Sequence, residues 1–403
     1  MAQITIMNII LIADEYIPLS KKVQPKMQHE LAVHLVNEGH HVTALMPTFR
    51  KEKLREIIDG VDVIRYKIGV NKNTSKVRRL ISELSLSRKA WKAFNNNYNL
   101  KPDLVIYFSP PIFFGKCIQK IKRKYNASSY LVLRDFFPQW VIDQGMIKEQ
   151  SLITKFFRYY EKISYESADK IGVMSPENLK WFNQYTCNKY KKRTEVLYNW
   201  VDKNFLETIA SNKDFRRKYN LESKIIMIYG GNIGHAQDMM NIVRLGAGIQ
   251  HLHQVHIVII GQGDEYELVD SEINRLKLDN ITLLSGVSQN EYFAIQKIAD
   301  IGLFCLHKDH KTHNFPGKIL GYLAQGLPVL GCVNPGNDLK DLINSSGAGL
   351  ISVSGEDTKL LQNAINLIHE IDDIDGRDKT RKSSFALLDL CFSVNAAATQ
   401  VTR

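Results

Sequence analysis

Short apolar runs recur along the chain, separated by stretches whose apolar residues return at helical spacing. In the first half, Asn8–Ala13, His41–Met46, Val61–Tyr66, Leu104–Phe108, Tyr130–Leu133 and Lys170–Met174 read as buried strands. Between the first two, Met27, Leu31, Val33, Leu35 and Val36 mark a helix that Gly39 closes as a C-cap. A further strand near Val196–Tyr198 leads into a linker around Val201–Asn204. The second half repeats the alternation, with strands at Ile225–Tyr229, Val255–Ile260, Ile281–Leu284, Ile301–Leu306, Pro328–Gly331 and Gly349–Ile351. Strand, helix, strand in this order predicts parallel sheets joined by right-handed crossovers.

The chain has 403 residues, too many for one ordinary core, and 44% of them are hydrophobic, the share of a globular protein. The expected architecture is α/β, two Rossmann-like domains with parallel sheets facing an interdomain cleft. Residues 1–203 and 204–380 form the domains, and 381–403 a C-terminal helix packing back on the first. No run approaches the roughly 18 apolar residues of a spanning helix. The opening apolar stretch, Ile4–Ala13, lacks a basic flank and ends on Asp14-Glu15, so it reads as a strand and not a signal peptide. The five cysteines, Cys117, Cys187, Cys305, Cys332 and Cys391, are scattered, which argues for a reducing compartment and hence the cytoplasm.

Charge is divided unevenly. Residues 1–200 hold 33 Lys and Arg against 18 Asp and Glu, and residues 201–403 hold 20 against 24. An anionic surface or substrate facing the first half fits this bias, as does a merely solubilising surface. Nucleic acid is disfavoured, because no aromatic platform or groove-reading motif accompanies the basic residues.

Open α/β sheets bind ligands at the carboxyl ends of their strands. Gly230-Gly231-Asn232-Ile233-Gly234 sits at such an end and precedes a helix, as a phosphate-binding turn does. Gly261-Gln262-Gly263-Asp264 repeats the arrangement one strand later. Neither is a P-loop, because no Gly-Lys-Ser/Thr follows, and Gly261 does not begin a Gly-x-Gly-x-x-Gly dinucleotide fingerprint. The third element is Asn314-Phe315-Pro316-Gly317-Lys318-Ile319-Leu320-Gly321-Tyr322-Leu323-Ala324-Gln325-Gly326-Leu327-Pro328-Val329. Pro316 opens a helix whose amides at Gly317 and Lys318 are available to an anion, and the Lys318 ammonium adds charge there.

In this order, the three motifs resemble the donor domain of the family 4 glycosyltransferases, which have the GT-B fold. Gly39-His40-His41-Val42-Thr43, Ala168-Asp169-Lys170-Ile171-Gly172-Val173-Met174-Ser175 and Val196-Leu197-Tyr198-Asn199-Trp200-Val201-Asp202 match further landmarks of that family. Arg134-Asp135-Phe136-Phe137-Pro138-Gln139-Trp140 and Asn314–Tyr322, with Asn334-Pro335-Gly336-Asn337-Asp338-Leu339, resemble a narrower group, the WbuB-like N-acetyl-L-fucosamine transferases of O-antigen and capsule assembly. The resemblance implies transfer of a sugar, N-acetyl-L-fucosamine first among candidates, from a UDP-sugar to a polyprenyl-diphosphate-linked saccharide at the cytoplasmic face of the inner membrane. It implies no cofactor and no metal. Asp135, Arg134 and Lys318 are the expected catalytic groups. Gly231, Asn232, Ile233, Gly234, Gln237, Gly261, Gly263, Val287, Asn314, Phe315, Pro316, Gly317, Asn337 and Asp338 are expected around the donor. His235 and His313 are weaker candidates.

The chain departs from that family's pattern. His313 and Gly321 stand where many members carry a pair of glutamates, the second of which holds the donor ribose. Asn232 and Gln237 stand near where an Arg and a Lys commonly grip the diphosphate, and Ser20-Lys21-Lys22-Val23-Gln24-Pro25-Lys26 replaces an N-terminal glycine loop. A UDP-sugar 2-epimerase of the same fold, or a weakened nucleotide-sugar-binding homologue, is the competing reading.

Between Lys76 and Phe94, Val77, Leu80, Ile81, Leu84, Trp91 and Phe94 alternate with Lys76, Arg78, Arg79, Arg88, Lys89 and Lys92. Such a basic amphipathic stretch fits an anionic bilayer beside the acceptor, with Arg78, Arg79, Arg88, Lys89, Trp91 and Lys92 as contacts. An ordinary helix covering the sheet has the same pattern.

Overall fold

A computed structural model describes residues 5–20, 23–48, 53–69, 76–309 and 315–403, with the side chains of 76–79 and 205 excepted. The chain divides into two compact units, Met1–Tyr198 with Ala397–Arg403, and Asn199–Ala396.

The first unit is built on strands β1 (Asn8–Ile12), β2 (His41–Thr48), β3 (Arg55–Ile58), β4 (Val61–Lys67), β5 (Leu104–Ser109), β6 (Ser128–Leu133), β7 (Lys170–Val173) and β8 (Thr194–Val196), in the sheet order β3-β4-β2-β1-β5-β6-β7-β8. Every pair is parallel except β3–β4. The central strands are buried on both faces, which is why they are continuous apolar runs. Strand β3 was not expected. Its sequence Arg-Glu-Ile-Ile has no apolar run, and it pairs only at the sheet edge, joined to β4 through Asp59 (φ 47°) and Gly60 (φ 82°). The Asp-Gly pair is the hairpin signal that would have revealed it.

The second unit contains β9 (Ile225–Asn232), β10 (Val255–Gln262), β11 (Ile281–Ser285), β12 (Ile301–Cys305), β13 (Val329–Val333) and β14 (Gly349–Val353), all parallel, in the order β11-β10-β9-β12-β13-β14. Its core joins strand residues such as Met227, Ile257 and Leu303 to Ile242, Leu245 and Leu367 of the covering helices. Gly39 (φ 94°) and Gly326 (φ 73°) end helices as their sequence positions predict.

In each sheet, strand order reverses beside the first strand of the unit. The reversal lies between β1 and β5 in one, and between β9 and β12 in the other. Loops leaving the carboxyl ends of those strands diverge and leave a crevice. Both candidate sites lie there.

Candidate functional site

In the first unit a cavity of about 240 Å³ opens at the reversal point. Asp14 and Glu15 enter it from the end of β1, Pro110 to Phe113 from the end of β5, and Asp135, Phe137 and Trp140 from the end of β6. Glu83 reaches it from the helix Lys76–Asn97. Carboxylates facing aromatic rings suit a polyhydroxylated ligand: oxygens accept from hydroxyls while rings cover C–H faces. Desolvation pushes the Asp135 carboxyl above the ordinary carboxylate range, and the neighbouring Arg134 charge opposes that rise. Among the described residues, none donates a hydrogen bond to the Asp135 carboxylate. It is therefore available as a proton acceptor.

Arg134 does not share the cavity. Its buried guanidinium donates from Nη1 to the Leu197 carbonyl at 3.0 Å and from Nη2 to the Tyr198 carbonyl at 3.4 Å. Burial pushes it down to about 9. The expectation that Arg134 is a catalytic group is corrected accordingly: its fork holds the segment after β8 against the end of β6, beside Asp135.

In the second unit the glycine motifs come into register. Gly231 pairs with Gly261, Asn232 with Gln262, and Gly261 in turn with Ser285, so three strand ends form one edge. Gly286 and the exposed Val287 continue from it, where a Cβ on Gly286 would lie 3.5 Å from Gln262 Oε1. The glycines have different reasons. A Cβ on Gly261 would lie 2.0 Å from the Gly231 carbonyl oxygen, and one on Gly263 2.0 Å from that of Ile233, so backbone packing alone demands both. Gly231 adopts φ 128°, which favours glycine, and a Cβ there would only touch Lys318, whose Nζ would be 3.6 Å away.

Lys318 lies in the first turn of the helix Gly317–Ala324, which Pro316 precedes in extended conformation. The amides of Gly317 and Lys318 have no intrahelical carbonyl available. The Lys318 ammonium turns inward over the Tyr229 ring, 3.7 Å from its centroid. No carboxylate pairs with it among the described residues, and desolvation pushes it down to about 7. A cation held inside without its anion, beside exposed Gly231 and Asn232, is suited to receive a diphosphate.

Several expected donor contacts are revised. Strand β9 runs on through Asn232, and a short 3-10 turn, His235–Gln237, with Asp238 at φ 43°, separates it from the helix beginning at Met240. The helix N-terminus is thus not joined directly to the glycine turn. Ile233 is fully buried and its amide donates to the Gln262 carbonyl at 3.0 Å, so it is a core residue. Asn232 Nδ2 donates to Gln237 Oε1 at 2.8 Å, and both remain accessible at the edge. Phe315 is buried against Phe392, with ring centroids 6.2 Å apart, and packs the core. Asn337 is also buried and is used by its own loop, donating to Asn334 Oδ1 and accepting from the Leu339 amide. Asp338 is half-buried at the start of the helix Leu339–Ser346. Asn314 and His313 lie outside the described residues, as do Lys21 and Lys22 and the side chains of Arg78 and Arg79.

Three site residues escaped the sequence reading. Tyr229 supplies the ring under Lys318. Tyr292 lies so close to Gly230 that a Cβ there would be 2.0 Å from its Cζ. His307 lies against His235, the rings tilted by 36° with centroids 4.5 Å apart. Only Tyr229, the last apolar residue before a glycine pair, had a positional clue.

The helix Lys76–Asn97 covers the sheet with Leu86, Ala90 and Phe94. Arg88 and Lys92 point outward, Lys89 is half-buried, and Trp91 lies under the ammonium groups of Lys120 and Lys124. Among the described residues, no helix is long and apolar enough to cross a membrane.

A strand-end cavity in one unit and a glycine-rich strand-end edge with Lys318 in the other define the class. Residues 26–205 match the model for Glycosyltransferase Family 4, and residues 211–383 that for Glycosyl transferases group 1. The chain belongs to the family 4 glycosyltransferases, and its fold is GT-B. It is 20% identical over 271 residues to Escherichia coli (strain K12) WcaI, named as a colanic acid biosynthesis glycosyl transferase. That match spans 66% of this chain and 65% of WcaI. The fold is similar to that of sucrose-phosphate synthase from Thermosynechococcus elongatus, with TM-score 0.69, 16% identity, and coverage of 98% of this chain and 97% of that one. It is also similar to Anabaena Alr3699/HepE in complex with UDP, with TM-score 0.64, 15% identity and 98% of each chain covered.

Proposed function

We propose that this protein transfers a sugar from a UDP-sugar to a lipid-linked saccharide in surface polysaccharide assembly, at the cytoplasmic face of a membrane. One observation carries the reading: the unpaired, inward-turned ammonium of Lys318 beside the bare backbone of Gly231. Departure of UDP adds negative charge to the phosphate oxygen that held the sugar, and a preset cation with helix-end amides stabilises that added charge more than the intact diphosphate ester, in which the same oxygen is bridging. The ammonium takes the part that a divalent ion takes in other sugar transfers. Asp135 accepts the proton of the attacking hydroxyl in the acceptor cavity. N-Acetyl-L-fucosamine is the proposed donor sugar, on the likeness of the segments at 134–140 and 334–339. Kinship with WcaI supports a polysaccharide context, and the fold shared with a UDP-bound protein supports the nucleotide.

Titration calorimetry with UDP tests the donor site. Binding in the micromolar range is expected, and no heat at millimolar UDP would defeat the proposal. A panel of UDP-sugars, UDP-N-acetyl-L-fucosamine first, then tests the sugar. Conversion of a UDP-sugar in the absence of any acceptor would assign the chain to the epimerases.

A further inference from the structure

The helix Leu152–Ser167 buries mostly polar residues fully and leaves large apolar ones exposed. The residues it buries are Thr154, Glu161, Ser164, Tyr165 and Ser167; the side chains of Thr154, Glu161, Tyr165 and Ser167 are hydrogen-bonded, and Ser164 accepts from the Tyr107 hydroxyl through its backbone carbonyl. Glu161 accepts from Arg158, Tyr165 and Tyr185. The outward side carries Leu152, 84% exposed, Tyr159, 54%, and Ile153, 38%, together with the exposed Lys155, Lys162 and Glu166, and the segment that precedes the helix adds the exposed Met146 and Trp140. A helix in a soluble protein turns its apolar stripe inward, and large apolar side chains gathered on one exposed surface mark an interaction surface.

We infer that this outward face, with Trp140 and Met146, seats the protein on an anionic phospholipid bilayer. Charge at the rim is complementary: Lys116, Lys148, Lys155 and Lys162 are exposed around the patch, against Asp143, Glu149 and Glu166. Lys116 lies 5.5 Å and 5.4 Å from the ring centroids of Tyr159 and Tyr160. Lysines that lay their stems over aromatic rings while keeping their heads in water suit the headgroup layer, as do Trp and Tyr. The patch is also continuous with the cavity. Phe113 meets Tyr160 at 5.1 Å and Phe137 meets Phe157 at 4.9 Å, and Phe113, Phe137 and Trp140 line the cavity itself. A saccharide on a lipid anchor would pass from bilayer to Asp135 along rings. This inference rests on the lipid-linked acceptor proposed above, and it moves the membrane contact from the helix Lys76–Asn97 to the helix Leu152–Ser167.

Co-sedimentation of the full chain with vesicles provides the test, using phosphatidylcholine alone and with about one third phosphatidylglycerol. The wild type should pellet with the anionic vesicles and be released by salt. Leu152→Glu/Ile153→Glu adds acids at exposed positions in a first helical turn, where the helix tolerates them. It should reduce the bound fraction about tenfold while UDP binding is unchanged. Arg88→Glu/Lys92→Glu should stay within about twofold of wild type. Equal pelleting of the Leu152/Ile153 variant and the wild type would overturn the inference, as would loss of binding only in the Arg88/Lys92 variant. A dimer in sedimentation velocity that the Leu152/Ile153 variant dissolves would assign the face to a second copy instead. Failure of UDP to bind would leave these vesicle outcomes unaffected, so the two proposals fail separately.

Discussion

The Lys318 ammonium stands 3.7 Å from the centre of the Tyr229 ring, on the side where Gly231 has no Cβ. The ring is the last side chain of an apolar strand run, and the lysine comes from a helix that begins 88 residues later in the chain. Their meeting makes a strained electrostatic centre. The ring quadrupole offsets part of the desolvation of the cation, yet the ammonium still sits at about 7. A site that costs stability when empty has a reason to be filled.

Replacing Lys318 by Met separates stability from binding. The thioether fills the space over Tyr229 without a charge to desolvate, so the empty protein should melt a few degrees higher at pH 6. UDP affinity should fall by about 10- to 100-fold, the loss of one charge-assisted phosphate contact. Calorimetry and thermal unfolding on the same samples check both. A variant that is less stable and binds UDP as wild type does would remove Lys318 from the donor site.

Proton uptake on binding follows from the same lysine. In the empty site, Lys318 loses its proton as pH rises through about 7. A bound diphosphate raises that value, because it favours the charged form. Affinity for a UDP-sugar, whose own phosphates do not titrate near neutrality, should therefore be full below pH 7 and decline as pH rises above it. At pH 8, calorimetry in buffers of different ionisation enthalpy should show uptake of close to one proton. Lys318→Met should show none.

The glycines make opposite predictions. Gly231→Ala puts a methyl 3.6 Å from Lys318 Nζ at φ 128°, a conformation that costs an alanine about 1–3 kcal/mol. It should fold, with lower stability and weaker UDP binding. Gly261→Ala would drive a methyl to 2.0 Å from the Gly231 carbonyl oxygen and break the β9–β10 ladder, so soluble yield itself should drop. Expression and circular dichroism distinguish the two.

Much of this architecture was legible because parallel strands buried on both faces are written as plain apolar runs. Most of the described strands answer to such a run; β3, with two charged residues in four, and β8, a half-buried Thr-Glu-Val that begins two residues before the expected Val196–Tyr198, are exceptions. Single-residue roles were harder to read. Gly261 and Gly263 look like phosphate-binding glycines, but the adjoining strand backbone already requires them. Asn337 and Phe315 stand in the right motifs, yet one braces its own loop and the other packs on Phe392, 77 residues away in sequence. Arg134 is adjacent to Asp135 in sequence, and the natural inference of a pair fails because consecutive residues leaving a strand point to opposite sides. The polarity of Leu152–Ser167 was hidden for another reason. Periodicity shows that a helix has two faces, and it does not say which one turns inward.

Asp135 can be tested by its pH dependence. As general base it must be ionised, and desolvation places its pKa above the ordinary carboxylate range. The acid limb of kcat/KM should accordingly lie above the pH at which a free aspartate titrates, with activity lost as pH falls through it. Asp135→Asn should lower kcat by about 100-fold or more and abolish that limb, leaving UDP affinity unchanged because the donor groups lie in the other unit. Arg134→Gln gives a graded counterpart. Its side chain retains one donor for the carbonyls of Leu197 and Tyr198, so kcat should fall less than for Arg134→Ala, and the acid limb should shift upward as the opposing positive charge is lost. An unchanged limb in both Arg134 variants would confine that residue to bracing the segment after β8, and an unchanged kcat in Asp135→Asn would remove the proton-accepting step from this cavity.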